Sequence, residues 1–535
     1  MNVQLYTPDV KVTLTKTVIR NPAAAAQAPT SATLFGSASA SSLDGTIANS
    51  TTVAAQSNNN SVNLFGQPAI GSPKLFDLNQ AIDLTPFLGD AGSVRVSKSV
   101  REPAGGFSIT LVDKPFENSR GVDSIYGLLE PMDFIEIRMR HNLPGATSGN
   151  PTSPPILMRG FISEIERDQT MGQDGKPRRT VTISGQDYGK LWQMLQIMFT
   201  PGYVIGENIL SSYKLYERFG IGFVTVQTAA DFVQKTVTAV LGEFLSSLMP
   251  ANSQNPTKIK FDVSVANGVV DVGGIQNQQG TIYSLLSYFG DVGVFNELYL
   301  EDREDGVYCV YRPNPFKDLL NQPIQIDAPN LMPIDVPAAD VISLKVSRSD
   351  ANTANYYWTR APRFELVSDI EQQLFAAVPV QQAESMSVDL TRYPNSAEQY
   401  YGVRAMRTET QQGGNEVTSM ASGKNKPEQD LRDASMVNWI NNRRAIVAAT
   451  NCDNVLLETG SARIRANENI KAGSYIRIIQ GAFSSTFYVP RVDLDFVPYQ
   501  GLFQTLTLVR GTGFVQRMNS GQGVQSPWLQ EMAGG

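Results

Sequence analysis

Three consecutive segments of the chain, at 134–140, 158–166 and 180–185, have the hydrophobic pattern of β-strands. In the first of them, apolar residues such as Ile135 and Ile137 alternate with charged ones, which indicates a strand with one buried and one solvated face. The third is rich in β-branched residues, which suit a pleated surface. The linkers between the segments are rich in Gly, Pro, Ser and Asn, so they are predicted to be turns.

The same order of strand patterns recurs near the C-terminus. Tyr475 stands there where Phe134 stands in the first copy, and the isoleucines that follow the two aromatic residues also correspond. The matched segments are 472–478 with 131–137, 492–495 with 163–166, and 505–509 with 180–184. One such repeat predicts two related β-domains rather than a solenoid. The alternative, that any two antiparallel meanders share this pattern, stays open on the sequence alone.

The chain as a whole is predicted to be α+β and mainly β. Its 535 residues leave room for several cores. We expect two similar antiparallel β-barrel tube domains, a mixed helical insertion domain and extended terminal arms. The predicted divisions are 1–75 (N-terminal strand and extended low-complexity arm), 76–200 (first barrel), 201–345 (insertion), 346–455 (connecting segment with a helix), 456–513 (second barrel, sharing parts of 346–455) and 514–535 (C-terminal tail).

Further elements follow from periodicity and from capping residues. Strands are predicted at 10–19, 94–100, 107–112 and 341–348, and helices at 123–129, 186–198, 231–248, 282–289 and 429–447. Arg443 and Arg444 stand near the end of the last of these helices, where the helix dipole favours positive charge.

Residues 297–311 have the pattern of a hairpin with Asp305 and Gly306 in its turn. Its acidic residues Asp302, Glu304 and Asp305 are expected at an exposed tip. Charged tips of this kind usually serve solubility.

Residues 21–73 are small and polar and contain one charged side chain, Asp44. Such a segment cannot bury enough apolar surface to fold alone. An apolar motif occurs twice within it, and a tryptophan stands isolated in the C-terminal tail. These features predict an arm and a tail that anchor in partners, although an idle linker has the same composition. The candidate partner-binding residues are Leu34, Phe35, Leu64, Phe65 and Trp528.

The balance of charge disfavours tight binding of nucleic acid. The net charge is −7 at pH 7, whereas affinity for the phosphate backbone depends on a positive excess. A mildly acidic protein can still line a passage through which DNA slides, since weak repulsion prevents sticking. We therefore expect any channel in this protein to have a neutral to acidic wall.

Cysteine and histidine usage excludes several classes of site. Cys309 and Cys452 are too few and too far apart for a disulfide framework or a metal site, so we expect reduced thiols and assembly in a cytoplasm. Cys309 is predicted to be a core residue. The single histidine, His141, rules out a multi-histidine metal site and is predicted to lie in a surface loop. The sequence has neither a signal-peptide pattern nor a spanning apolar run, so we expect no membrane insertion.

The sequence lacks the common motifs of catalysis. It has no Walker phosphate loop, no nucleophile elbow and no dinucleotide-binding glycine spacing after a strand. Two carboxylate pairs, Glu164 with Glu166 and Asp493 with Asp495, could act on a sugar bond, but both fall where alternation demands polar residues. We therefore predict no catalytic residue, no cofactor, no metal and no enzymatic activity.

The strand motifs of both copies resemble those of a known family. The segments that match are 157–166, 182–188, 470–476, 487–489 and 506–508. On these segments the chain resembles the baseplate hub proteins of contractile-tailed bacteriophages, which include the late control protein D group and the hub portion of type VI secretion spikes. The resemblance covers about residues 90–515 and leaves the N-terminal arm outside.

The resemblance implies a structural role in the virion. It implies a homotrimeric ring with two tube barrels per chain, so that six barrels match the six-fold tail tube above to the three-fold central spike below. Genomic DNA would pass through the ring without specific binding. The N-terminal arm would contact neighbouring baseplate proteins.

Two other functions fit parts of the sequence. A tail-tip hydrolase of cell-wall glycan would need a cleft with perturbed carboxylates. A receptor-binding fibre or adhesin would need long repetitive strands, which the mixed middle of the chain does not suggest. The doubled β-domain, the single histidine and the lack of a site motif favour the structural hub.

Overall fold

The computed structural model of the chain describes residues 8–17, 81–89, 92–118, 121–141, 153–171, 175, 177–197, 226–248, 256–265, 268–271, 280–360, 393–414, 426–481 and 483–520. The strands are β1 (Pro8–Thr15), β2 (Ala81–Asp83), β3 (Ser93–Ser99), β4 (Gly106–Val112), β5 (Pro115–Asn118), β6 (Gly121–Ser124), β7 (Phe134–His141), β8 (Ile156–Met171), β9 (Pro177–Asp187), β10 (Gln196–Ile197), β11 (Val226–Thr228), β12 (Ile259–Val263), β13 (Val269–Asp271), β14 (Gly280–Thr281), β15 (Asn296–Arg303), β16 (Gly306–Pro313), β17 (Ile334–Pro337), β18 (Val341–Ser347), β19 (Tyr356–Arg360), β20 (Ala405–Glu409), β21 (Glu458–Arg465), β22 (Ser474–Gln480), β23 (Phe483–Val497) and β24 (Gly501–Gly511).

Helices are fewer and mostly short. They are α1 (Ile125–Leu128), α2 (Gly189–Met194), α3 (Ala229–Thr236), α4 (Glu243–Leu248), α5 (Ile282–Phe289), α6 (Glu398–Tyr401), α7 (Lys426–Asn451) and α8 (Gly513–Ser520), with a π-helical segment Val237–Gly242 between α3 and α4. Three 3-10 turns lie at Thr85–Phe87, Ala338–Asp340 and Pro394–Ser396. Ser124 caps α1, since its hydroxyl accepts a hydrogen bond from the Gly127 N–H at 3.1 Å.

Thirteen strands form one large sheet, so the protein is mainly β as predicted. The main path runs β18-β21-β24-β23-β3-β4-β9-β8-β7-β1-β2, and β22 lies between β23 and β17. The β17–β22 pair is parallel, and the other pairs of this sheet are antiparallel. Among the described residues the path does not close on itself, and closure into two barrels stays a prediction.

The sheet contains the same six-strand arrangement twice. In spatial order the first unit is β3-β4-β9-β8-β7-β1 and the second unit is β18-β21-β24-β23-β22-β17. The strands also follow one another along the chain in the same order, and a helix follows the last strand of each unit, α2 after β9 and α8 after β24. The predicted duplication is therefore present in the strand pairing. One difference is that β1 is antiparallel to β7, whereas β17 is parallel to β22.

Equivalent residues follow from the pairing register. Phe134 pairs with Phe161 in the first unit, and Tyr475 pairs with Tyr488 in the second. Each long strand has a β-bulge shortly after this aromatic residue, in β8 and in β23, and each bulge adds one residue to that strand. Phe134 and Tyr475 are therefore equivalent, as the sequence predicts.

Two of the predicted correspondences are displaced by two residues. Asp493 is equivalent to Glu166 and not to Glu164, because Glu166 pairs with Thr182 where Asp493 pairs with Thr505. The prediction missed this because the bulges are not visible in the alternation. Two residues are one full period of a strand, so the predicted buried and solvated faces are unaffected.

A closer repeat lies in β3 of the first unit and at β18 of the second, and it was not among the predicted correspondences. Residues 93–99 read SVRVSKS and residues 343–349 read SLKVSRS. The ladders through β4–β9 and β21–β24 align the two segments without a gap. The equivalence of β3 and β18 is thus visible in the sequence, because the residues at all seven positions have similar chemistry.

One hydrophobic core serves both units. Its buried residues come from the strands of the first unit and from β21, β22, β23 and β24 of the second. Ile137 and Ile183 in the first unit and Ile476 and Leu506 in the second are inaccessible to solvent. The alternation that predicts these strands arises because every second side chain enters this shared core.

The insertion between the units has its own core. Strands β15 and β16 form the predicted hairpin, and β12 pairs in parallel with β16 to complete a three-stranded insertion sheet. Residues of α3, α5 and the π-helical segment pack with this sheet in a second hydrophobic cluster. The hairpin turn consists of Glu304 and Asp305, and Gly306 begins β16 at a φ of +152°, which favours glycine.

The equivalent aromatic pairs of the two units both face the insertion. Phe134 and Phe161 belong to its cluster, with ring centroids 5.7 Å apart. Tyr475 and Tyr488, whose centroids are 5.3 Å apart, cluster with Tyr299 of β15. Both units therefore use the same position of the repeat to hold the insertion.

Helix α7 corrects the prediction made from the helix dipole. It runs from Lys426 to Asn451, so Arg443 and Arg444 lie inside it and not at its end. Arg443 is buried, and its guanidinium lies over the rings of Trp439 at 4.2 Å and Phe295 at 4.6 Å. These cation–π contacts, one with α7 itself and one with the turn residue before β15, account for its position rather than the helix dipole.

Three other predictions concern single residues or the tail. His141 is not in a surface loop, since it ends β7 and is buried, and burial lowers the pKa of its imidazole. Cys309 is a fully buried core thiol, as predicted, and Cys452 is also buried and unbridged. The start of the predicted C-terminal tail forms α8, which Arg517 ties to Glu458 of β21 at 3.2 Å.

We expect Asp291 to make the folded state less stable as the pH rises. Burial raises the pKa of Asp291 to about 6, although Arg443 and the Gln411 N–H oppose this effect. Because this pKa is higher in the folded state, the contribution of Asp291 to the free energy of unfolding is complete below about pH 4. It falls by about 3 kcal/mol as the pH rises through about 6. Urea unfolding at pH 4 and pH 7 should show this loss, and Asp291→Asn should reduce it.

Asparagine is the matched substitution at this position. The residue has a φ of +49°, which asparagine tolerates better than most side chains. Other buried carboxylates are the same in both proteins, so the difference between them isolates Asp291. Equal pH dependence in the two proteins would contradict this assignment.

Candidate assembly interface

The two units are joined edge to edge through β3 and β23. One edge of β23 pairs with β22 over 483–489 and then with β3 over 491–496, so β22 and β3 lie end to end along it. The opposite edge of β23 pairs with β24. Strand β3 of the first unit thus extends the sheet of the second unit.

The junction has a buried and a solvated face. On the buried face, Val96 pairs with Leu494, and both side chains lie in the shared core. On the solvated face, Arg95 pairs with Asp495, and the Arg95 Nε lies 3.2 Å from a carboxylate oxygen of Asp495. The same face holds Asp493, whose carboxylate accepts hydrogen bonds from the Arg491 Nε at 3.0 and 3.1 Å. Apolar contacts and opposite charges therefore both support this pairing.

Both strands of this junction have unpaired equivalents elsewhere in the chain. The equivalent of 491–496 in β23 is 164–169 in β8, and that of β3 is β18. Within the described part of the chain, β8 pairs with β7 only up to Phe161, and 164–169 has a partner only in β9. Strand β18 likewise pairs only with β21. The first unit thus has a free edge at 164–169 of β8, and the second unit has a free edge at β18. These two edges are the equivalents of the two strands that pair in the junction.

The unpaired half of β8 is more accessible than its equivalent in β23. Residues 166–171 are all exposed, whereas 491–496 are buried or half-buried. Met171 at the end of this segment is 72% exposed, and Ile342 in β18 is 52% exposed. An unprotected edge with apolar residues at its end is a template for pairing with another chain.

The insertion sheet is fixed to the first unit by a buried ion cluster. The Lys98 ammonium lies 2.5 Å from a carboxylate oxygen of Asp187 in β9 and 2.8 Å from one of Asp302 in β15. Burial alone would lower the pKa of Lys98, but the two carboxylates outweigh burial and raise it. Both carboxylates are buried, so this cation holds strands of two domains together.

Further polar contacts of the hairpin with the first unit come from its tip. Arg159 of β8 donates to the Arg303 carbonyl at 2.8 Å, and Glu304 accepts from the Ile156 N–H at 2.8 Å. The acidic hairpin tip predicted to serve solubility is therefore largely a docking element. Among its three acidic residues, Asp302 is buried, whereas the side chains of Glu304 and Asp305 are exposed, and Asp305 pairs with Lys260 at 2.6 Å.

A second buried cluster fixes the insertion sheet to the second unit. The Nε of Arg312 in β16 lies 2.9 Å from Glu297 in β15, and its Nη2 donates to the Gly473 carbonyl at 2.8 Å. Tyr488 of β23 donates a short hydrogen bond to Glu297. Burial raises the pKa of Glu297, although Arg312 opposes this effect. The charged form of this carboxylate is therefore stabilised by Arg312.

The predicted partner-binding residues Leu34, Phe35, Leu64, Phe65 and Trp528 lie outside the described residues, and their role stays a prediction. In the described ranges no group of three His, Cys, Asp or Glu side chains could hold a metal ion. No helix in those ranges is long and apolar enough to span a membrane.

The residues that fix the insertion sheet to the two units were not found from the sequence. Lys98, Asp302 and Arg312 look like ordinary strand or turn residues in the alternation. The repeat of 93–99 at 343–349 is the one signal that could have found the two edge strands.

No protein-family model and no curated protein matches the sequence. Among solved structures, the tail protein from Neisseria meningitidis MC58 is 10% identical, with 78% of this chain and 91% of that chain covered and a TM-score of 0.41. The 43 kDa tail protein of prophage MuSo2 from Shewanella oneidensis is 10% identical, with 81% and 95% covered and a TM-score of 0.39. Prophage tail protein gp18 from Listeria monocytogenes EGD-e is 8% identical, with 85% and 95% covered and a TM-score of 0.38. The chain is thus similar to tail proteins.

Proposed function

We propose that this chain is a structural baseplate hub of a contractile phage tail. Three copies form a ring of six units, in which each unit curls into a barrel-like tube segment. The ring adapts the six-fold tail tube above it to the three-fold central spike below it. It forms part of the passage for genomic DNA and belongs to the tail baseplate of the virion, after assembly in the host cytoplasm.

The observation that supports this proposal is the repeated six-strand unit with its edge-to-edge junction. Two equivalent units in one polypeptide give three chains the six similar positions that a hexagonal partner requires. The junction through β3 and β23 shows one way in which neighbouring units can share a sheet. The resemblance of the strand motifs in both copies to phage hub proteins supports the same role.

The proposal includes partners beyond the ring itself. The tube protein would contact one face and the spike protein the other. The N-terminal arm, with Leu34 and Phe35 and with Leu64 and Phe65, and the tail with Trp528 would contact neighbouring baseplate proteins. The domain divisions given by the sequence are part of this proposal, as is a neutral to acidic channel wall.

The alternative of a glycan hydrolase is not favoured by the positions of the carboxylates. Glu164 and Glu166 lie on the exposed half of β8, whereas Asp493 and Asp495 lie on β23 with arginine partners. Neither pair faces a second carboxylate pair across a described cleft. We therefore expect no turnover when the purified chain is incubated with peptidoglycan.

Native mass and class averages test the proposed ring. Light scattering of the full chain should give three times the mass of one polypeptide, and electron microscopy should show a three-fold ring with a central opening. A monomer at all concentrations, or a ring of another order, would refute the hub proposal. Release of soluble glycan fragments from peptidoglycan would instead support the hydrolase.

A further inference from the structure

We infer that the ring is closed by a specific strand pairing between copies, in which β18 of one chain pairs antiparallel with 164–169 in β8 of the next. This inference rests on the proposed function and specifies the partner surface, a second copy of the chain. The register is that of the junction already present within each chain. Its six pairs are Glu164 with Ser349, Ile165 with Arg348, Glu166 with Ser347, Arg167 with Val346, Asp168 with Lys345, and Gln169 with Leu344.

The register follows from two alignments described above. Arg491 is equivalent to Glu164 because both come directly after the bulge in their strands. Ser99 is equivalent to Ser349 because 93–99 aligns with 343–349 without a gap. Within the chain, Arg491 pairs with Ser99, so the equivalent pair between chains is Glu164 with Ser349.

The charges of the two edges are complementary in this register. It sets Asp168 opposite Lys345, which is the position that Asp495 and Arg95 occupy within the chain. Asp168 and Lys345 are both exposed, and no ion pair with a described residue engages either of them. A one-residue slip would remove this match and place the solvated side chains on the wrong face.

Most apolar positions also agree; the exception is Arg167, which stands where Leu494 does and lies 2.9 Å from the Asp113 carboxylate. Ile165, Leu344 and Val346 are half-buried and pack at the margin of the shared core, where Val492, Val94 and Val96 are fully enclosed in the equivalent junction. Beyond Gln169 both edges also have an exposed apolar side chain, Met171 in β8 and Ile342 at the bulge of β18. Pairing would therefore complete a margin that each chain leaves open.

The geometry of such a pairing is head to tail. Different surfaces of the chain meet, so each copy retains one free β8 half and one free β18 until the assembly closes. Closure of three copies pairs both of these edges in every chain, which also prevents uncontrolled association through them. The same contact would then recur at all six places between neighbouring units.

Paired cysteines test the register in the full chain. Glu166→Cys together with Ser347→Cys should form covalent dimers and trimers under mild oxidation, visible on non-reducing gels. The matched control is Glu166→Cys with Ser343→Cys, because a displacement of four residues is about 13 Å, beyond the reach of a disulfide. Each single variant alone should stay uncrosslinked, since Cys309 and Cys452 are buried.

An internal pair calibrates the chemistry. Asp493→Cys with Ser97→Cys is the equivalent pair inside the chain. It should form a disulfide within one polypeptide and produce no covalent oligomer. Covalent oligomers from the matched pair alone support the inference. If a three-fold ring forms but the displaced pair links, or neither links while the internal pair closes, the register is overturned and the hub proposal stands. If no ring and no link form at any concentration, both fail.

Discussion

Replacing Lys98 with methionine is expected to lower the free energy of unfolding by about 3–5 kcal/mol. The ammonium group lies between Asp187 and Asp302, and both carboxylates are buried. Methionine keeps the length of the side chain but leaves two buried negative charges without their shared cation. Urea unfolding of the full chain at fixed protein concentration measures the loss, because association would otherwise shift the midpoint.

The matched control is Lys260→Met, which removes a similar ion pair that is exposed to solvent. Lys260 lies 2.6 Å from Asp305, but both side chains are about half exposed, so we expect a much smaller loss than for Lys98→Met. Adding Asp302→Leu to Lys98→Met should recover part of the stability, since one of the orphaned charges is gone. Equal losses for Lys98→Met and Lys260→Met would show that the Lys98 cluster does not stabilise the fold.

Replacing Arg312 with methionine is expected to have an effect of the same order, about 3–5 kcal/mol. It removes the cation beside Glu297 and the hydrogen bond to the Gly473 carbonyl. Glu297 is buried and its pKa is already raised by burial, so without Arg312 it would take up a proton or unfold its surroundings. Urea unfolding should show the loss, and it should be smaller at pH 5 than at pH 8 because protonation relieves the buried charge.

The control for this variant is Arg477→Met. Arg477 makes two hydrogen bonds to Asp335, at 2.7 and 2.8 Å, but both side chains are more than 40% exposed. Because water screens this exposed pair, we expect Arg477→Met to cost much less than Arg312→Met. A Glu297→Gln background should make the loss from Arg312→Met smaller. If that background changes nothing, the coupling of Arg312 to Glu297 is refuted.

The strands were predictable because most of them have one face in the shared core. Ile135 and Ile137 alternate with charged residues, and both are fully buried in β7. The duplication was also predictable, because equivalent strands need similar residues at Phe134 and Tyr475. The bulge after Phe161 was not predictable, since an added residue in a strand has no signature in the alternation.

The contacts that join the domains could not be predicted from local patterns. Lys98 and Asp302 are 204 residues apart, and Arg95 and Asp495 are 400 residues apart. Which strand edges meet depends on the packing of whole units, and a local window contains no information about it. For the same reason Asp302 was assigned to an exposed tip, whereas its charge is neutralised by a cation of another domain.

The insertion sheet spans the junction within the chain, since Asp302 binds the first unit and Glu297 binds the second. Among the described residues no hydrogen bond or ion pair joins the insertion sheet to β18 or to 164–169 of β8, so the proposed ring would have three braced seams and three bare ones in alternation. We expect such a ring to loosen at the bare seams first and to dissociate into whole polypeptides. Any widening of its opening would then follow a triangular rather than a hexagonal pattern, with each polypeptide moving as a single rigid arc.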